Sequence, residues 1–213
     1  GVTNDFENCW EDVPHRYLRS VRDLPSHDGI RLASPDLSDE RAAEKWIRST
    51  PESVCNTQDT EILKTVLNDY DQETQNFYRW TVEYSQEELR AIISDCLKMD
   101  LGPIVGFKPV QRGRSGHLVK LCIVGKEKSF TVGKELEIRR VLSKSHLYSS
   151  AIVIDAEDIK DGIPQRFVIH GAGWGHGVGM CQIGAAVMGS QGYRYNEILQ
   201  HYYDTAKITR LYE

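Results

Sequence analysis

No uninterrupted apolar run in this 213-residue sequence reaches the roughly 18 residues that a membrane-crossing helix requires, so no span is expected. It also lacks a basic opening followed by a short apolar core, the mark of a signal peptide. The first residue is Gly1 rather than methionine, which leads us to expect a processed, trimmed or partial chain. Runs of Lys or Arg are missing: 26 basic residues are dispersed among 31 acidic ones, for a net charge of −5. With no basic patch to displace counterions from phosphates, broad nucleic-acid binding is excluded. Cysteine is sparse. Cys9, Cys55, Cys96, Cys122 and Cys181 are widely separated and contain no C-x-x-C pair, so they offer neither a zinc ribbon nor a disulfide framework.

What is present reads as an α+β chain. Its length leaves room for one or two domains with a real core. Ser38-Asp39-Glu40 opens an amphipathic segment running through Trp46 and Ile47, and Thr60 to Asn68 offers a second short helix. Tyr78 to Tyr84 alternates as a strand, after which Ser85 and Glu88 have capping-box spacing for a helix reaching Lys98. From Ile104 the pattern turns to β. Ile104–Val110 and His117–Val124 are separated by the hairpin signal Gly113-Arg114-Ser115-Gly116, and a turn at Gly125 leads to Ser129–Val132. A helix over Glu135–Ser143 precedes a strand starting at Leu147. The expected architecture is an antiparallel β meander core with a strand, glycine-rich loop and helix unit, into which a polar, mainly helical subdomain (residues 23–100) is inserted.

That last unit is the most distinctive stretch. Arg166 to His170 reads as a buried strand and Gln182 to Ser190 as an alanine-rich helix, with glycine at 171, 173, 175, 177 and 179 between them and at 184 within the helix. Such density marks a tightly shaped turn, and the residues it carries are unsuited to a linker. His176, flanked by Gly175 and Gly177, is unshielded by neighbours and suited to donate to a ligand oxygen or orient a carboxylate; the other reading is a bond to a backbone carbonyl that fixes the loop. Trp174 either presents an apolar face to a ligand or packs beneath the loop. Gln182 offers donors and an acceptor to a polar ligand or caps the helix. Cys181 reads as a small packing residue, and Tyr202 as either a cleft or a core aromatic. His170, His176 and Cys181 match no closed zinc spacing, so no metal ligand is assigned. Trp10 and Tyr17 either anchor an N-terminal loop or stack on a ligand.

The run Gly173-Trp174-Gly175-His176-Gly177-Val178-Gly179-Met180-Cys181-Gln182-Ile183-Gly184-Ala185, followed by Gln191-Gly192-Tyr193 and by Glu197-Ile198-Leu199-Gln200-His201-Tyr202-Tyr203, resembles the C-terminal signature of the stage II sporulation protein D family, amidase enhancers included. Cys181 stands where that family usually has Ser. The segment with Ser149 resembles the family's L-x-S-[ST] strand, and residues 1–22 and 101–213 together resemble its core. The resemblance implies lytic transglycosylase work on peptidoglycan glycan strands, leaving 1,6-anhydro ends, in the extracytoplasmic cell envelope. One carboxyl suffices for that chemistry, first as acid and then as base toward the sugar's own hydroxyl.

The family's glutamate lies in a P-x-E-A-L-K-A-Q-A-x-A-A-R-T-Y helix. Neither Glu87-Glu88-Leu89 nor Glu135-Leu136 fits that pattern. By resemblance, then, the acid and the family's zinc ligands precede Gly1, and this chain holds no cofactor and is inactive alone. His176 is expected to support catalysis, and Trp174, Gly175, His176, Gly177, Gln182, Ser149 and Tyr202 to bind substrate. A non-catalytic module that binds glycan and enhances an amidase is the alternative. The partners implied are glycan strands and either an amidase or the chain's own N-terminal segment.

Overall fold

The structure, a computed structural model, describes residues 1–25, 32–66 and 76–210. Over the described residues it is α+β, with two three-stranded antiparallel sheets. After a 3-10 turn at Phe6–Asn8 come helices α1 (Glu40–Arg48) and α2 (Thr60–Val66), strand β1 (Arg79–Ser85) and helix α3 (Gln86–Leu97). The meander follows as β2 (Ile104–Arg112), β3 (Leu118–Gly125) and β4 (Ser129–Val132), then α4 (Glu135–Val141), β5 (Ile152–Glu157), β6 (Arg166–Ala172), α5 (Gln182–Ser190) and α6 (Tyr195–Tyr202). Among the described residues, no helix is long and apolar enough to cross a membrane.

Local chemistry accounts for most of these boundaries. Asp39 caps α1 by accepting the Ala42 N–H at 3.0 Å. The reciprocal bonds between Ser85 and Glu88 form the expected capping box, so β1 passes directly into α3. The 113–116 hairpin closes with Gly113 N–H on His117 C=O and Gly116 N–H on Gly113 C=O, both at 2.9 Å. The end of the expected second helix, Asn68, lies outside the described residues. The strand expected from Leu147 begins only at Ile152, because the Ser149 and Ser150 hydroxyls, both fully buried, donate to Ala172 and Leu118 carbonyls and hold that approach out of the ladder.

The two sheets share one core. Leu89 and Ile93 of α3, Ile138 and Val141 of α4, Leu118 and Leu121 of β3 and Phe167 and Ile169 of β6 all belong to a single buried cluster. Within the stretch 23–100, β1 and α3 are woven into the main packing. Strand β1 hydrogen-bonds along β6 as an edge of the order β1-β6-β5, and α3 buries its apolar face in the shared core. Gln86, the first residue of α3, reaches both sides: its amide donates to Ile104 and Pro164 carbonyls at 2.7 Å, and its oxygen accepts the Ile104 N–H at 2.8 Å. Helix α1 packs Ala43 and Ile47 against Ala151 and Ala172, while α2 packs Leu63 with Ile183 and Val187 of α5. Opposite Trp80 in the ladder stands Gly171, where a Cβ would come within 2.0 Å of the indole ring.

Candidate functional site

Between β6 and α5, the glycine loop alternates. Gly173, Gly175, Gly177 and Gly179 all have positive φ, from 74° to 86°, a region that L-residues with a Cβ rarely adopt. The intervening residues are thereby displayed one after another. Backbone bonds pin the loop at three points: Gly173 N–H to Tyr78 C=O (3.1 Å), Gly175 N–H to Tyr148 C=O (2.7 Å), and Asn4 N–H to Gly177 C=O (2.8 Å).

Asn4 fastens the loop a second time with its side chain. Fully buried, it donates to the His176 carbonyl at 3.3 Å, while its amide oxygen accepts from Ser115 Oγ (2.7 Å), Asn8 Nδ2 (2.9 Å) and the Asp5 N–H (3.0 Å). Because Ser115 gives its proton to Asn4, the 3.0 Å contact from His117 Nδ1 is a donation to Ser115 Oγ, which leaves His117 Nε2 as an acceptor. Burial brings this histidine down to about 3, so the ring is neutral. Its Nε2 edge rests on Gly177, where a Cβ would lie 3.1 Å away.

A cavity of about 490 Å³ opens beside the loop. Trp174, Gly175, His176, Gly177 and Gln182 all line it, so five of the residues expected to bind substrate come together. Trp174 lies stacked on Tyr148 with ring centroids 4.0 Å apart, and tilted on Phe77 at 4.9 Å. His176 is exposed, and its Nδ1 accepts the Val178 N–H at 3.1 Å. The neutral ring therefore carries its hydrogen on Nε2, and partial burial and the Arg139 charge hold its pKa below the ordinary histidine value. The exposed Trp10 packs on this imidazole at 4.8 Å.

Ser149 and Tyr202 stand apart from that group. Both are buried: the Ser149 hydroxyl is committed to the Ala172 carbonyl, and Tyr202 donates to Asp23 at 2.5 Å. Cys181 is the residue that caps α5, with Sγ 3.4 Å from the Gly184 nitrogen, and Gln182 is exposed at the first helical position.

Three features of the region have no local sequence signal. The first is the Asn4–Ser115–His117 network described above. The second is a convergence of Asp23, Cys55 and Cys181 on the cavity wall, with one donor atom from each lying within 4.8 Å of the others. All five cysteines are free thiols; the proximity of Cys55 and Cys181 lowers the pKa of Cys55 and raises that of Cys181. The third is Glu135, in a second cavity of about 340 Å³ shared with Cys9, Trp10, Arg139 and His176. Burial pushes its carboxyl up to about 7, against the pull of Arg139 at 3.4 Å.

With this geometry in place, the chain can be set beside known proteins. Residues 4–179 match the model of a domain of unknown function, DUF8618, and the chain belongs to that family. It is also 28% identical over 151 residues to stage II sporulation protein D of Bacillus subtilis (strain 168), an alignment covering 69% of this chain and 38% of that protein. The relationship to stage II sporulation protein D is a distant one, and the chain spans well under half of that relative's length.

Proposed function

We propose that this chain forms the glycan-binding wall of a peptidoglycan-cleaving site of lytic transglycosylase type, acting in the extracytoplasmic cell envelope. The observation that carries this reading is the His176 imidazole. It is fixed by Val178 with its Nε2–H available, packed on Trp10, and set at a cavity that also holds Trp174 and Gln182. Aromatic faces beside a few directional donors suit a pyranose ring with its hydroxyl and acetamido groups. The distant relationship to stage II sporulation protein D supports a cell-wall role.

The proton donor in this reading comes from polypeptide outside residues 1–213. Asp23 is the one carboxylate among the described lining residues of the main cavity, and its oxygens are occupied by Tyr202, Ser53 and the Cys55 N–H. The same observation favours a second reading, in which the chain is a non-catalytic glycan-binding module that enhances an amidase. One experiment covers both. Peptide-free glycan strands are incubated with this chain alone and with the full product of its gene, and anhydro-ended fragments are sought by mass spectrometry while retention on insoluble peptidoglycan is measured. We expect retention by both forms, loss of roughly tenfold or more in His176→Ala, and cleavage only by the full product. Retention without cleavage by the full product selects the amidase-enhancing module; no retention by any form removes both readings.

A further inference from the structure

We propose that Asp23, Cys55 and Cys181 form a binding site for a zinc-like divalent ion whose remaining coordination position opens into the main cavity. The three residues come from separate parts of the chain, yet one carboxylate oxygen and two sulfurs lie within 4.8 Å of one another. Two thiolates and a carboxylate form the borderline-soft donor set that zinc takes, and one that calcium or magnesium, which favour oxygen, does not. In a tetrahedral site with zinc–sulfur bonds of about 2.3 Å, neighbouring sulfurs sit roughly 3.8 Å apart. Closing onto an ion therefore takes side-chain movement on the order of 1 Å or less.

The surroundings already orient these donors. Asp23 is held by Ser53 Oγ at 2.9 Å, the Cys55 N–H at 3.0 Å and Tyr202 at 2.5 Å, the kind of outer support that aims a ligating carboxylate. Cys55 Sγ accepts from the Gly1 nitrogen at 3.0 Å, and Cys181 is placed by its capping role on α5. Charge also fits. Two thiolates and a carboxylate carry −3 and a divalent ion +2, and the remaining negative charge is faced by the Gly1 nitrogen and the N-terminus of α5. Binding transfers the two thiol protons to solvent. All three residues line the cavity that holds Trp174, His176 and Gln182, so a water or substrate atom has access to the open position.

The test is on the metal itself and involves no glycan. Reduced, chelator-treated chain is titrated with Zn²⁺ against a chromogenic competitor and with Co²⁺ in parallel, following thiolate-to-cobalt charge transfer in the near ultraviolet. We expect one ion per chain, and weakening by about 10–100-fold or more in Cys55→Ser, Cys181→Ser and Asp23→Asn. Circular dichroism verifies folding; Cys181→Ser is the most informative variant, since serine keeps the helix cap. A folded chain that binds no ion, binding unchanged in both cysteine variants, a cobalt spectrum without thiolate bands, or isolation of a Cys55–Cys181 disulfide in place of metal uptake overturns the proposal.

Discussion

Asn4 is the residue on which the shape of the glycine loop most depends. Its side-chain oxygen accepts three hydrogen bonds in a buried setting, and its amide donates to the His176 carbonyl. Truncation strands those donors, and each unsatisfied buried group costs about 1–3 kcal/mol. Asn4→Ala should therefore destabilise the chain by roughly 2–4 kcal/mol in urea unfolding, allowing for partial relaxation. Amide exchange should rise across residues 173–179 before it rises in β6. This role was illegible in the sequence: nothing adjacent to Asn4 indicates that its partners stand at 115 and 176. His176, by contrast, was legible, because glycines on either side expose a side chain whatever the rest of the fold does. The cysteine pairing was invisible for the same reason as Asn4, since Cys55 and Cys181 meet only through the packing of α2 on α5.

At the scale of the elements, α5 shows why a helix can need glycine inside it. Alanine in place of glycine ordinarily stabilises an exposed helix by about 1 kcal/mol. At Gly184, however, a Cβ would lie 2.3 Å from both Asp23 Oδ1 and the Tyr202 hydroxyl oxygen. Those atoms are buried and bonded to each other, so the collision outweighs the propensity gain. Gly184→Ala should lose about 2 kcal/mol or more in stability, with the sign opposite to that of propensity alone. Should the variant melt at or above the wild-type temperature, the Asp23–Tyr202 bond is not where we describe it.

Elements whose signals are local were readable from the sequence. The capping box at Ser85 and the hairpin at Gly113–Gly116 are decided within four residues, and α5 begins at the expected Gln182. Pairing between distant segments was not. The alternation of residues 78–84 announces a strand but cannot say that β6 is its neighbour, so the place of β1 and α3 in the common core was not legible.

For the whole molecule, two buried titratable groups give opposing pH dependences. His117 is lowered from 6.5 to about 3 by burial, so the folded state binds fewer protons than the unfolded chain and stability is lost as pH falls below 6.5. Glu135 is raised from 4.5 to about 7 by burial, so the folded state binds more protons and stability is lost as pH rises from 4.5 through 7. Between about 4.5 and 6.5 the two slopes oppose each other, which should flatten the profile. Glu135→Gln should gain up to about 3 kcal/mol at pH 8 and almost nothing at pH 4.5. His117→Asn should close part of its gap to wild type as the solution is acidified. Urea titrations of the three proteins at pH 4.5, 6 and 8 check this; parallel profiles for all three contradict both assignments.

The seam joining Asn4 to Gly177 links nearly the first residue described to a bend close to the last helices. On a ribosome, Asn4 can pair early with its sequence neighbours but must wait for its loop partners until β6 and the glycine bend have emerged. Completion of the main cavity thus follows synthesis of β6 and the glycine bend, and a nascent chain stalled before β6 lacks that wall.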